Sequence, residues 1–280
     1  MPRVPSRRSS SSSVRTELAS IGARPRKSLG QHFLHDRMIA DRIVGLLEPH
    51  AGDAVFEIGP GLGILTERLV ALPNRLTLIE LDDALAERAE RRYGRLAHVR
   101  VVRGDAARVD WENLLTTDAV VIGNLPYNAA TAILQRILQD RCRIRRVVAM
   151  VQKEVAERMV ALPDTEHYGG LSVLTQFDCT PRIAFTVAPG AFSPPPKVSS
   201  AVVILAPCGE PPVAVRSEQR FRRLVRGVFQ HRRKQLANAL RGVVAEPREL
   251  LVRLGVDATR RPETLSLAEF ALLERESADA

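Results

Sequence analysis

The sequence predicts an α/β fold: a mostly parallel sheet with an antiparallel hairpin at its edge, followed by a small helical domain. Three observations carry this. Short, nearly continuous apolar runs fill residues 54–58, 76–79, 99–102, 119–122 and 147–151. Helical stretches separate them, as at 62–72, 84–93 and 129–138. Two later β-rich runs, 183–187 and 201–205, follow one another with no helix between, which gives the hairpin. Strands covered on both faces lose the polar alternation of a half-exposed sheet, so unbroken apolar runs mean a buried, parallel arrangement.

Ahead of the first strand, Met38, Ile39, Ile43, Val44, Leu46 and Leu47 recur at helical spacing. Residues 210–212 read as a linker, and 218–241 and 247–275 read as helices, with Pro247 near the start of the second. Residues 1–24 begin basic and Ser-rich and hold no acid before Glu17. Such a stretch buries too little apolar surface to offset its ordering entropy, so disorder is expected there. An organellar transit peptide has the same composition, but this stretch is short and lacks a clear amphipathic period, which favours a plain tail. The expected division is a tail over 1–24, a sheet domain over 25–208 and a helical domain over 209–280.

The 280 residues are 45% hydrophobic and carry 41 Lys and Arg against 32 Asp and Glu, a net charge of +9. That balance favours polyanionic partners without specifying a fold. No apolar run approaches the roughly 20 residues needed to cross a bilayer, and the N-terminus lacks the apolar core of a secretory signal. Cys142, Cys179 and Cys208 lie far apart, so neither a zinc ribbon nor a disulfide framework is indicated and a reduced, cytoplasmic compartment fits best. His32 and His35 have no third ligand nearby, and no metal is expected. Nothing demands more than a monomer.

The run Glu57-Ile58-Gly59-Pro60-Gly61-Leu62-Gly63 is a strand entering a helix through a glycine turn. Glycines there let a ligand approach the backbone, and the helix N-terminus beyond would face a negative group. That group would be pyrophosphate in a dinucleotide enzyme and the methionine carboxylate in a methyltransferase. The spacing is GxGxG and not GxGxxG, which disfavours the first. Glu80 closes the second strand, where a carboxylate usually holds ribose hydroxyls. Asp105 closes the third and can accept from an adenine amine.

The fourth strand ends Gly123-Asn124-Leu125-Pro126-Tyr127. The lone pair of an adenine amine is delocalised into its ring, so the amine is a poor nucleophile. Acceptors at the Asn124 side-chain oxygen and the Leu125 carbonyl would draw it toward tetrahedral geometry and aim its lone pair at an electrophile. Pro126 fixes the turn, and Tyr127 offers a ring on which an unstacked base can lie.

These motifs resemble those of the ribosomal RNA adenine dimethyltransferases, and the resemblance extends over residues 25–275. It includes Gly30-Gln31-His32-Phe33-Leu34, the glycine turn, Asn124 to Tyr127, Gln152 to Ala156, Tyr168 to Ser172, Phe192 to Val198 and Arg232-Arg233-Lys234. It implies a Rossmann-like class I methyltransferase sheet, S-adenosylmethionine as cofactor, and a cofactor site lined by His32, Leu34, Gly59, Gly61, Glu80, Asp105 and Asn124. Phe192 would cover the target base opposite Tyr127. Family members often carry Asn where this chain has His32.

The resemblance further implies two adjacent adenosines in a hairpin loop near the 3′ end of small-subunit ribosomal RNA, met within a small-subunit particle, and a part in ribosome biogenesis. Arg24, Arg26 and Lys27, with Arg222, Arg223, Arg226, Arg232, Arg233 and Lys234 in the tail, are the candidate RNA contacts. Such contacts position an RNA without reading its sequence. Local chemistry alone does not separate this target from the single large-subunit adenosine of the macrolide-resistance branch. A non-catalytic assembly factor and a nicotinamide oxidoreductase are the other readings. The intact Asn124 to Tyr127 stretch argues against the former and the glycine spacing against the latter.

Overall fold

A computed structural model describes residues 11–26, 29–115 and 118–277. Nine strands lie among them: β1 (Phe33–Leu34), β2 (Ala54–Ile58), β3 (Leu76–Glu80), β4 (Val99–Arg103), β5 (Ala119–Asn124), β6 (Ile144–Gln152), β7 (Cys179–Val187), β8 (Phe192–Ser193) and β9 (Ser200–Pro207). Seven of them form one sheet in the order β4-β3-β2-β5-β6-β9-β7. The first five run parallel, and β9 pairs antiparallel with β6. Both late strands reach the edge as the sequence predicts, but β9 inserts between β6 and β7, so the pair is added in reverse chain order.

Helices α1 (Ser11–Ser20), α2 (Arg37–Gly45), α3 (Thr66–Leu69), α4 (Asp83–Tyr93), α5 (Trp111–Leu114), α6 (Ala130–Ile137) and α7 (Lys153–Val160) alternate with the strands up to residue 160. Asp36 and Asp82 cap α2 and α4, each accepting from two backbone N–H groups of the first turn. Val55, Leu78, Val120, Ile122 and Val148 pack in the core on the sheet and are 0 or 1% exposed. Each such side chain contributes about 1.5–3 kcal/mol by leaving water.

The chain divides into two units: one reaches to Ala156 and takes in Arg182–Pro207, and the other combines Glu157–Pro181 with the residues from Cys208 onward. The sequence places residues 157–181 in the sheet domain. They instead share a core with the tail: Tyr168, Val173 and Phe177 cluster with Phe221, Leu224, Leu250 and Phe270. Phe177 and Phe221 stack with centroids 4.3 Å apart, a long-range pairing that no local periodicity reveals.

The second unit contains α8 (Gly170–Asp178), α9 (Glu218–Gln230), α10 (Leu236–Ala239), α11 (Pro247–Arg253) and α12 (Leu267–Glu276). Two long helices were expected in the tail, and each is broken. The buried stripe of α9, Phe221, Leu224, Val225 and Val228, ends where exposed His231, Arg232, Arg233 and Lys234 begin. That cationic run has no apolar face to bury. Gly255, at φ +66°, stops the next helix, and Pro262 lies before α12 begins.

A further correction concerns the N-terminal tail. Residues 11–20 are helical, with Val14 and Leu18 buried against Phe33 and Leu85. Glu17 pairs with Arg88 at 2.9 Å. Two apolar residues four apart share one helix face, a stripe too short to stand out against the Ser-rich background. Residues 1–10 lie outside the described ones.

Candidate active site

Parallel register brings the carboxyl ends of β2, β3, β4 and β5 to one edge, with Ile58 opposite both Ile79 and Gly123 and Glu80 opposite Arg103. There they border a cleft of about 970 Å³, closed on another side by residues 29–34. His32, Leu34, Gly59, Gly61, Glu80, Asp105 and Asn124 all line it, as do Leu125, Pro126 and Tyr127.

Its floor is the glycine turn. Gly61 has φ +56° and Gly63 φ +91°. A Cβ on Gly61 would lie 3.3 Å from the Phe33 ring, and one on Gly63 2.8 Å from the Tyr93 hydroxyl. Both positions therefore need glycine for conformation and for space. The helix expected over 62–72 shrinks to α3, preceded by turns. Backbone N–H groups at this end of the cleft thus belong to the glycine turn and not to a long helix.

Glu80 is 5% exposed. Its Oε2 accepts the Gly61 N–H at 3.1 Å and its Oε1 the Asp82 N–H at 3.0 Å. Burial raises its pKa, opposed by the bonds from Asp82 and Gly61. Leu81 beside it is 50% exposed and presents apolar surface to the cleft. Asp105 has a side chain 34% exposed, and its Oδ1 accepts the Ala107 N–H at 2.9 Å.

Asn124 donates through Nδ2 to the His32 carbonyl at 2.9 Å, which keeps its Oδ1 as an acceptor. The Leu125 N–H is bound to the Met150 carbonyl at 3.1 Å, fixing the start of the turn. The Tyr127 hydroxyl bonds the Ser200 hydroxyl, and its ring centroid lies 5.1 Å from that of His32. His32 donates through Nδ1 to the Pro194 carbonyl at 2.8 Å, since a carbonyl can only accept. His32 therefore has a side-chain contact as well as a backbone one, joining residues 29–34 to the loop after β8.

Phe192 stands apart from these. It is 2% exposed, pairs with Leu34 across the β1–β8 bridge and belongs to the apolar core with Val187, Ala191 and Val202. Leu34 lines the cleft and Phe192 does not. The bridge pins the strand so that the ring packs in the core beside Leu34.

The RNA candidates also separate. Arg24 and Arg26 are exposed, Arg26 lying 3.3 Å from Asp82, and Lys27 lies outside the described residues. In the other unit, Arg223, Arg226, Arg232, Arg233 and Lys234 are exposed, and Arg232 donates to the Glu166 carbonyl at 2.9 Å. Arg222 is corrected. Only 12% exposed, it makes paired bonds to Asp178, itself 2% exposed, and it faces the core.

Glu57 is a further buried acid beside the cleft, with no role assigned to it from sequence. It is fully within β2, 1% exposed, and accepts the Thr66 hydroxyl at 2.7 Å. Burial and, less strongly, the nearby Glu80 push its pKa up to about 8, which favours the protonated carboxyl. An acid inside the apolar run 54–58 was the available signal.

A sheet of this order, with an antiparallel strand on β6 and an acid-lined cleft at its carboxyl edge, is the Rossmann-like class I sheet of S-adenosylmethionine-dependent methyltransferases. Residues 22–279 match the ribosomal RNA adenine dimethylase family, and the chain belongs to that family. It is 42% identical over 254 residues to the ribosomal RNA small subunit methyltransferase A of Acinetobacter baylyi, covering 90% of this chain and 92% of the relative. To the protein of that name from Geobacter sulfurreducens it is 43% identical over 265 residues, covering 91% and 95%. Its backbone resembles a crystal structure of a dimethyladenosine transferase from Plasmodium falciparum, with TM-score 0.72, 25% identity and coverage of 86% and 96%. The protein is thus an S-adenosylmethionine-dependent rRNA adenine dimethyltransferase.

Proposed function

We propose that the protein dimethylates the exocyclic amines of two adjacent adenosines in a hairpin loop near the 3′ end of small-subunit ribosomal RNA. It acts as a monomer on a small-subunit particle, in the cytoplasm. The observation that carries the reading is Asn124 at the end of β5, its Nδ2 bound to His32 and its oxygen kept as an acceptor within the cleft. The name of the two curated relatives supports the small-subunit target.

The residues suit the cofactor. Glu80, held by two backbone N–H groups, retains lone pairs for ribose hydroxyls, and Asp105 has an oxygen for the adenine amine. Gly59 and Gly61 leave backbone open to the amino-acid end, and Leu34 and Leu81 supply apolar walls. When bound, S-adenosylmethionine supplies an electrophilic methyl group on a sulfonium.

The chain's part is orientation. Asn124 Oδ1 and the Leu125 carbonyl each accept one N–H of the target amine, which localises its lone pair on nitrogen. Pro126 holds the turn, and the Tyr127 ring stacks on the extruded base, worth about 1–3 kcal/mol. The His32 ring packs against that ring at a tilt of 31°. A base reaches this site only out of its stack, which suits a loop. Arg24, Arg26, Lys27, Arg223, Arg226, Arg232, Arg233 and Lys234 contact RNA phosphates.

The test is nucleoside mass spectrometry after incubating the protein and labelled S-adenosylmethionine with unmodified small and large subunits separately. Dimethyladenosine confined to the small-subunit RNA is the expected result. Label in large-subunit RNA alone would move the target, and binding without transfer would leave an assembly factor.

A further inference from the structure

Beside the cofactor cleft lies a wider groove, about 2220 Å³, that shares His32, Tyr127 and residues 30–31 with it. One wall is α1 and the turn after it; the other is the loop at 194–198. Arg15 and Arg24 stand on the first wall and Lys197 on the second, all three exposed and without an ion pair among the described residues. No carboxylate lines the groove among those residues. The acid of α1 is turned elsewhere, with Glu17 bound to Arg88. The opposite wall adds Val198, 46% exposed, and a proline run. Cations without counter-charges, beside apolar surface, on a path leading to Tyr127 suit a single strand of RNA with splayed bases.

We propose that α1 is an RNA-binding wall: the nucleotides flanking the target adenosine lie in this groove, their phosphates held by Arg15 and Arg24 on one side and Lys197 on the other. α1 precedes residues 22–279, the span that matches the family. Burial of Val14 and Leu18 and the Glu17–Arg88 pair fix the helix so that Arg15 faces out. The inference rests on the reading of the cleft as an rRNA adenine site.

The test uses the full chain with Arg15→Glu and Lys197→Glu together, assayed on unmodified small subunits over a salt series. KM for the particle should rise about tenfold, with a smaller change in kcat, and the log–log salt slope should become shallower by about 1.4, at 0.7 per lost phosphate contact. Cofactor affinity by calorimetry should stay within about twofold, and Arg15→Lys with Lys197→Arg should restore KM, which a merely structural role would not require. Wild-type KM and slope in the charge-reversed protein would overturn the groove. If the wild type transfers no methyl, the cleft reading fails, and co-sedimentation of both proteins with the particle still decides the groove: equal binding overturns it.

Discussion

Asn124 donates its side-chain N–H to the His32 carbonyl across 2.9 Å, so one amide both ties residues 29–34 to the end of β5 and keeps its oxygen as an acceptor in the cleft. Replacing it by Ala removes the acceptor and loosens that tie. We expect kcat to fall about 10²–10³-fold, the cost of losing one preorganised partner of the reacting group. Cofactor affinity should fall much less, because Glu80, Asp105 and the glycine turn are untouched. Single-turnover methyl transfer and calorimetry on the same protein separate the two effects; equal losses would make Asn124 mainly a cofactor residue.

Glu80→Ala should show the opposite split. The carboxylate is anchored by the Gly61 and Asp82 N–H groups, and its remaining lone pairs face the cleft. Losing charge-assisted bonds of about 1.5–3 kcal/mol corresponds to a cofactor Kd weaker by roughly 10–150-fold. At saturating cofactor, kcat should be largely retained.

Glu57 supplies a pH dependence of stability. Its folded pKa of about 8 lies above the ordinary 4.5. Between these values the native state binds a proton that the unfolded chain has lost, so stability falls as pH rises and levels off above about 8. At 1.36 kcal/mol per pKa unit, the full effect is at most about 5 kcal/mol. Glu57→Gln keeps the shape and abolishes the titration. Its stability relative to wild type should therefore improve from pH 5 to pH 8, as read by urea unfolding at fixed temperature. A constant difference across that range would refute the neutral carboxyl.

Arg222→Ala tests the correction of an RNA candidate. Removing Arg222 takes its paired hydrogen bonds from the buried Asp178 carboxylate, which should cost about 3–5 kcal/mol of stability. The salt slope of particle binding should not change. A shallower slope with unchanged stability would return Arg222 to the RNA-contacting face.

Much of this fold was legible because its signals are local. The five parallel strands announced themselves as apolar runs, and the glycine turn, Glu80, Asp105 and Asn124 to Tyr127 each sit where a strand ends. Legibility failed where distant segments decide. Phe192 is in the core because it pairs with Leu34, 158 positions earlier in the chain. Arg222 meets Asp178 through a fold that groups residues from either side of β9. Short motifs failed for another reason: Val14 and Leu18 make too small a stripe to mark α1 as a helix.

The second unit is interleaved with the first along the chain. Glu157–Pro181 emerges from the ribosome early, carrying Tyr168 and Phe177, whose neighbours Phe221, Leu250 and Phe270 are synthesised later. Until then those aromatic rings have nothing of their own unit's tail to rest on. A nascent or truncated chain ending near Pro207 would have every strand of the sheet yet expose an unpaired aromatic face, an invitation to chaperones or to aggregation. Domain dissection by a single cut therefore yields no clean half, and soluble production of either unit calls for grafting the early segment onto the late one.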